Sequence, residues 1–466
     1  MSNNSPSFWP KFFLKMVVLI LALVGLWSLL QWPPINAYYQ KLMAYLNRPE
    51  VRSSIVRAQM ERGVKFNQKR QFTPQKSKEQ GIWRIAPTTD PNSDGIDLEN
   101  ILHNAQDLDV LDIAPGRYEI NEWPSHKSVL IRGIGENIND VQLIIKQKIK
   151  FNFDKNSPKK IEFENLTMVA REAQYQSGSL ISMQEGELAF FKIHITSSNY
   201  ENLIHLTRDA QLFMKNSYLS AGQSNDGIFL QDKAQVQIFN SQLSNNKVSI
   251  TSSVQNFIGK VEIKSSIVEN CRAHGIIIYN GTISIDNFKI ENCPGGIFLA
   301  SGVKGSLTNS NIKATDGNAL ELKYGPVIVV EKSQFESLDT VIMVQGQESK
   351  INLQETNIKG GKFGLRLRDG AQVELSNSAV INASDSALFL EKKSAIVAKN
   401  SSFSSGESCL ESSDSRAFLN KTTLQNCRFG LLLNHNSNMT LDNVTFLNTQ
   451  EKVKNNFNNS KVIEKK

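Results

Sequence analysis

Between residues 160 and 447 apolar and polar residues alternate in short runs that repeat. "AQVQIFNSQLSNN" spans Ala234–Asn246, and "AQVELSNSAVINAS" spans Ala371–Ser384. In both, two apolar residues two apart (Val236 and Ile238; Val373 and Leu375) precede an Asn-Ser pair. The Asn position recurs at Asn165, Lys192, Asn216, Asn240, Ser265, Asn287, Asn309, Lys332, Glu355, Asn377, Asn400, Lys421 and Asn443. From Lys192 onward each step is 21 to 25 residues. About ten residues after each corner a second alternating run begins, often with Gly: "GIFL" at 227 and 296, "GIII" at 275, "GLRL" at 364, "GLLL" at 430.

A period of two over five residues predicts strands with one buried face. A repeat near 22 residues, with no helical period, predicts one coil per repeat. Each coil then lays its strands parallel to those of the coil before, and apolar residues stack along a central axis. The Asn turns the corner, because it adopts a left-handed backbone at low cost. Stacked about 4.8 Å from its equivalents, its amide is expected to bond up and down a ladder. The expectation is an all-β parallel β-helix of about 12–13 coils. It has a membrane anchor over 1–36, a basic, partly helical stalk over 37–89, the coils over 90–449, and a polar tail over 450–466.

This pattern resembles the right-handed parallel β-helix of the pectin-lyase-like superfamily, from about Asp90 to Thr449. The front, "DGIDLENILHNAQDLDVLDIAPGRYEI" followed by "VLIRGIGE", is similar to that superfamily's capping helix (Leu98 to Ala105) and first coil. The resemblance implies work on polysaccharides, with sites on the outer face of a parallel sheet, and it implies lyases, hydrolases, epimerases, tailspikes and adhesins alike. The catalytic motifs of those enzymes are not intact, so no catalytic residue is carried over.

"FFLKMVVLILALVGLWSLLQW", Phe12 to Trp32, is long and apolar enough to span a bilayer, with Trp9 and Trp32 as interfacial aromatics. No small-residue cleavage site follows, so an uncleaved anchor is expected, with the coils on the extracytoplasmic side. The formal charge is +7, but the residues through Lys78 carry twelve bases against two acids, leaving −3 from Glu79 on. The body is therefore no basic trap, and nucleic acid is not an expected partner. Four cysteines occur without a CxxC pair, so no zinc site is expected, and neither cofactor nor metal is read from the chain. Cys271 and Cys293 lie 22 apart on equivalent corners. A disulfide and a stacked reduced pair both satisfy that spacing.

Two polar patches are candidates for binding. One is His205, Arg208, Asp226, Arg272, His274 and Tyr279, types that supply a base, an acid and a carboxylate clamp. The other is Glu321, Lys323, Arg366 and Arg368. The outward residues at the centre of the second strand read Ser182, His205, Phe229, Ser249, Ile277, Phe298, Glu321, Met343, Arg366, Phe389, Glu411 and Leu432. Half of these are large and apolar: Phe229, Ile277, Phe298, Met343, Phe389 and Leu432. Such a stripe wants a cover. The covers weighed are the chain itself, an envelope protein, or sugar rings. The outward row of the Asn-preceding strand is expected to be mostly polar.

Overall fold

A computed structural model describes residues 82–85 and 98–465, except 125–126, 154–159, 171–175, 223–224 and 457–458. All lie within one unit, Ser77–Lys466. The expected anchor and nearly all of the expected stalk lie outside the described residues. Among the described residues no helix is long and apolar enough to cross a membrane.

The chain winds as the repeat requires. Fourteen strands form one ladder, from Ile149–Phe151 to Glu451–Asn455, every neighbouring pair parallel. The strands flanking the Asn corner make the other two faces, joined in a 30-stranded ladder. The strands run out further than expected at both ends. Ile82–Ile85, assigned above to the stalk, pairs with Asp109–Ile113. The expected polar tail adds two more strands, Glu451–Asn455 on Phe429–Asn434 and Lys461–Lys465 on Asn438–Asp442. Each has few inward apolar residues, but Val453 and Val462 still pack on the core. The capping helix is Leu98–Asn104, and it buries Leu98, Ile101 and Leu102 at three- and four-residue steps.

The alternation places Val236, Ile238, Val261 and Ile263 wholly inside, and Val373 and Leu375 almost so. All thirteen corner positions have a positive φ, from 46° to 53°, including those with Lys, Ser and Glu. The Asn amides form less of a ladder than expected. Asn240 donates to the Asn216 side chain, whereas Asn287 donates to Ser265 and Asn309 to Asp286. The next residue does more of this bonding. Ser241 Oγ accepts the backbone N–H of Ser217 at 3.1 Å and donates to its own strand at Phe239 O. Ser217, Ser266, Ser310, Ser333, Ser378 and Ser401 accept in the same way. The Asn-Ser pair recurs because Asn turns the chain and Ser satisfies a buried donor on the preceding coil. Ser241→Ala should therefore cost about 1–3 kcal/mol by stranding the Ser217 N–H, measurable as a lower denaturation midpoint.

Glycine opens the second strand because it sits at an inward bend. A Cβ on Gly275 would lie 2.6 Å from Ile290 Cδ1, and one on Gly364 2.2 Å from Val380 Cγ1. Two disulfides staple adjacent coils, Cys271–Cys293 and Cys409–Cys427, with all four cysteines buried. The first resolves the alternative left open by the spacing.

Candidate functional site

The outward centre of the 14-stranded sheet runs in register from His205 through Phe229, Thr251, Ile277, Phe298, Glu321, Met343, Arg366, Phe389 and Glu411 to Leu432. Thr251 replaces Ser249, which is fully buried. The strand there starts late, at Ile250. The six apolar members are each half-buried. Polar residues break the row, so the only apolar neighbours along it are Ile277 and Phe298.

The structure splits the first predicted patch. His205 packs at a tilt against Phe229 and is bonded to Gln231 at 3.0 Å. Arg208 turns to Glu185, 3.7 Å away on the preceding coil. Asp226 and His274 do hold equivalent positions, each two residues before an inward Ile, but two coils apart. Asp226 has one buried oxygen without a hydrogen-bond partner, and burial pushes its carboxyl above the usual range, against the pull of Lys247. Neither Asp226, His205 nor Arg208 joins the histidine.

His274 and Tyr279 do come together, with Phe298 between them. The ring centroids of His274 and Phe298 are 6.4 Å apart, and those of Tyr279 and Phe298 5.7 Å. His274 lies over Gly295 of the next coil, where a Cβ would meet its ring at 2.4 Å. Lys323 Nζ sits 5.8 Å from the Phe298 centroid and pairs with Glu321 at 2.5 Å. Among the described residues the His274 ring nitrogens and the Tyr279 hydroxyl have no hydrogen-bond partner. Arg272, at the corner before His274, is exposed.

Burial holds the His274 imidazole below its ordinary value of 6.5; Glu321 opposes this and Lys323 adds to it. The unfolded chain therefore binds a proton here more readily than the folded one, and stability is lost as pH falls through and below 6.5. His274→Gln should flatten that part of the stability–pH curve relative to wild type, as read by melts between pH 7 and 5.

The second predicted patch also divides. Glu321 and Lys323 belong to the Phe298 cluster, and Arg366 and Arg368 make another. Arg366 bonds Glu391 at 2.9 Å through Nε and through Nη2, while Arg368 Nε is 3.5 Å from the same oxygen. The Arg366 guanidinium lies 5.1 Å from the Phe363 ring and 5.2 Å from that of Phe389. Glu411 accepts from Ser386 at 3.0 Å; burial holds its carboxyl above the usual range, aided by Asp385 and Glu391 and opposed by that hydrogen bond. Glu391 was missed in the sequence, although aligning outward positions on successive coils sets it beside Arg368. A further aromatic row was missed on the Asn-preceding face. Phe191, Phe213 and Phe239 stand at centroid spacings of 5.3 and 5.4 Å, half-exposed, where mostly polar residues were expected.

Residues 275–446 match the family described as a right handed beta helix region. The described residues wind as a right-handed parallel β-helix. No curated protein matches the sequence of this β-helix. Similar solved structures include a mannuronic acid specific polysaccharide family 6 lyase from human gut microbiota. It is 13% identical, with 72% of this chain and 86% of that one covered and a TM-score of 0.38. The A-module of an Azotobacter vinelandii mannuronan C-5 epimerase is 11% identical over 76% of this chain and 91% of its own length, TM-score 0.31. A tailspike protein of an E. coli bacteriophage is 10% identical over 81% and 78%, TM-score 0.32. Identities and scores this low transfer neither activity nor residue roles.

Proposed function

We propose that this β-helix binds a polysaccharide along the outer face of its 14-stranded sheet, centred on Phe298, and does so outside the cytoplasm. The observation that carries the proposal is the Phe298 cluster. A half-exposed aromatic ring is flanked by an imidazole and a phenol whose polar atoms are unengaged. A sugar ring has the complementary chemistry, with C–H faces that stack on an aromatic surface and hydroxyls that seek donors and acceptors. Parallel rungs about 4.8 Å apart repeat such contacts along one axis, as an extended polymer does. A protein partner would favour a continuous apolar area, and here Glu321, Arg366 and Glu411 interrupt it.

The extracytoplasmic placement rests on two features. The apolar run from Phe12 to Trp32 reads as an anchor. The two buried disulfides suit an oxidising compartment. Binding is proposed rather than turnover, because no lyase, hydrolase or epimerase motif is complete in the chain.

The test is binding of the full-length chain to a panel of envelope polysaccharides, with Phe298→Ala as the comparison. Removing the ring forfeits about 1.5–3 kcal/mol of apolar burial, so affinity should fall tenfold or more. Equal binding by a folded Phe298→Ala variant, or no binding to any polysaccharide, would sink the proposal. Deleting residues 1–36 should move the protein from the membrane fraction to the soluble one; retention in the membrane would refute the anchor.

A further inference from the structure

Charges around the proposed site narrow the class of polysaccharide, an inference that rests on the binding reading above. From Asp226–Leu230 to Phe429–Asn434, the strands of the 14-stranded sheet carry three cations, Lys323, Arg366 and Arg368. Each has a carboxylate beside it on the same face: Lys323 pairs with Glu321 at 2.5 Å, and Arg366 and Arg368 share one Glu391 oxygen at 2.9 and 3.5 Å, with Arg368 Nε buried and not hydrogen-bonded. These pairs are mostly withdrawn from water, with side chains 13% to 31% exposed. At the Phe298 site an incoming carboxylate would have to break the Lys323–Glu321 pair and leave a half-buried Glu behind, which is costly. The strands carry four carboxylates against those three cations, so a polyanion meets no net attraction along them. The groups that are free to bond, the His274 ring and the Tyr279 hydroxyl, form hydrogen bonds without offering a fixed charge.

We propose that the ligand of the Phe298 site is an uncharged polysaccharide, a chain of neutral sugars stacked on Phe298 and hydrogen-bonded by His274 and Tyr279. The half-buried imidazole, held below its ordinary value, keeps the site neutral above pH 6.5. Arg272 is the exposed cation at its margin, and the test isolates it.

The full-length chain is titrated with neutral polymers (glucan, mannan, galactan) and with uronate polymers (galacturonan, mannuronan). A neutral polymer should bind, and no uronate polymer should bind more tightly. Raising the salt from about 0.01 to 1 M shortens the screening length from about 30 to 3 Å, and should leave the neutral affinity within about twofold. Tyr279→Phe should weaken it several-fold, and Arg272→Gln should not. Preferential uronate binding that falls with salt and is lost in Arg272→Gln would overturn the inference and leave the polysaccharide reading standing. Absence of binding to both panels would overturn the polysaccharide reading itself, and this inference with it.

Discussion

Replacing Phe335 with alanine is expected to destabilise the coils by about 3–5 kcal/mol, the usual cost of deleting a buried phenyl ring. Phe335 is wholly buried and sits in one inward stack between Ile312 and Ile358 of the neighbouring coils. Neither neighbour can fill the space, because each is held in its own rung by backbone bonds on both sides. A coil touches only the coils next to it, so the damage should stay local at first. Hydrogen exchange should rise in Asn311–Ala314, Gln334–Ser337 and Asn357–Gly360 before it rises elsewhere. A shift under about 1 kcal/mol, or uniform loss of protection along the chain, would contradict a one-dimensional stack.

Removing either disulfide should cost about 3 kcal/mol, the loop-closure value for a ring of about twenty residues. The bridges close segments of 22 and 18 residues. Cys271–Cys293 joins equivalent corners of adjacent coils, and Cys409–Cys427 joins a strand to the corner of the next coil; the native structure already brings these segments together, so the main effect is on the unfolded chain. Cys271→Ser with Cys293→Ser, and Cys409→Ser with Cys427→Ser, should each lower the denaturation midpoint. Several coils separate the bridges, so the two losses should add. Strong reductant should destabilise the wild type and leave the four-serine variant unaffected. If wild type and variant unfold alike without reductant, the cysteines are not cross-linked.

Most of the fold was legible because its rules are local. Asn240 and Asn377 mark corners since Asn tolerates a left-handed backbone, and every equivalent position has that backbone. The partner serines were legible too, as the residue after Asn, but their role depends on a donor one coil away. Lys461–Lys465 was read as tail because Val462 is its only buried-side apolar residue; the strand forms because Asn438–Asp442 offers an open edge.

The site was only partly legible. His274, Tyr279 and Phe298 belong to two neighbouring coils, so aligning repeats brings them together. Asp226 was grouped with them on its equivalent position in the repeat, and the structure sets it two coils from His274. The Thr251 register turned on where one loop ended. Arg366 and Arg368 were grouped with Glu321 and Lys323 in sequence, whereas the carboxylate they share is Glu391, more than twenty residues on.

By itself, then, the amino-acid order determined the coiling, its period, its inward residues and its corners. Those follow from backbone preference and two-residue alternation within a single repeat. The tertiary structure alone decided which outward side chains meet and which charges cancel. Contacts between coils depend on side-chain reach and on register set by loops of unequal length, and neither is written within one repeat.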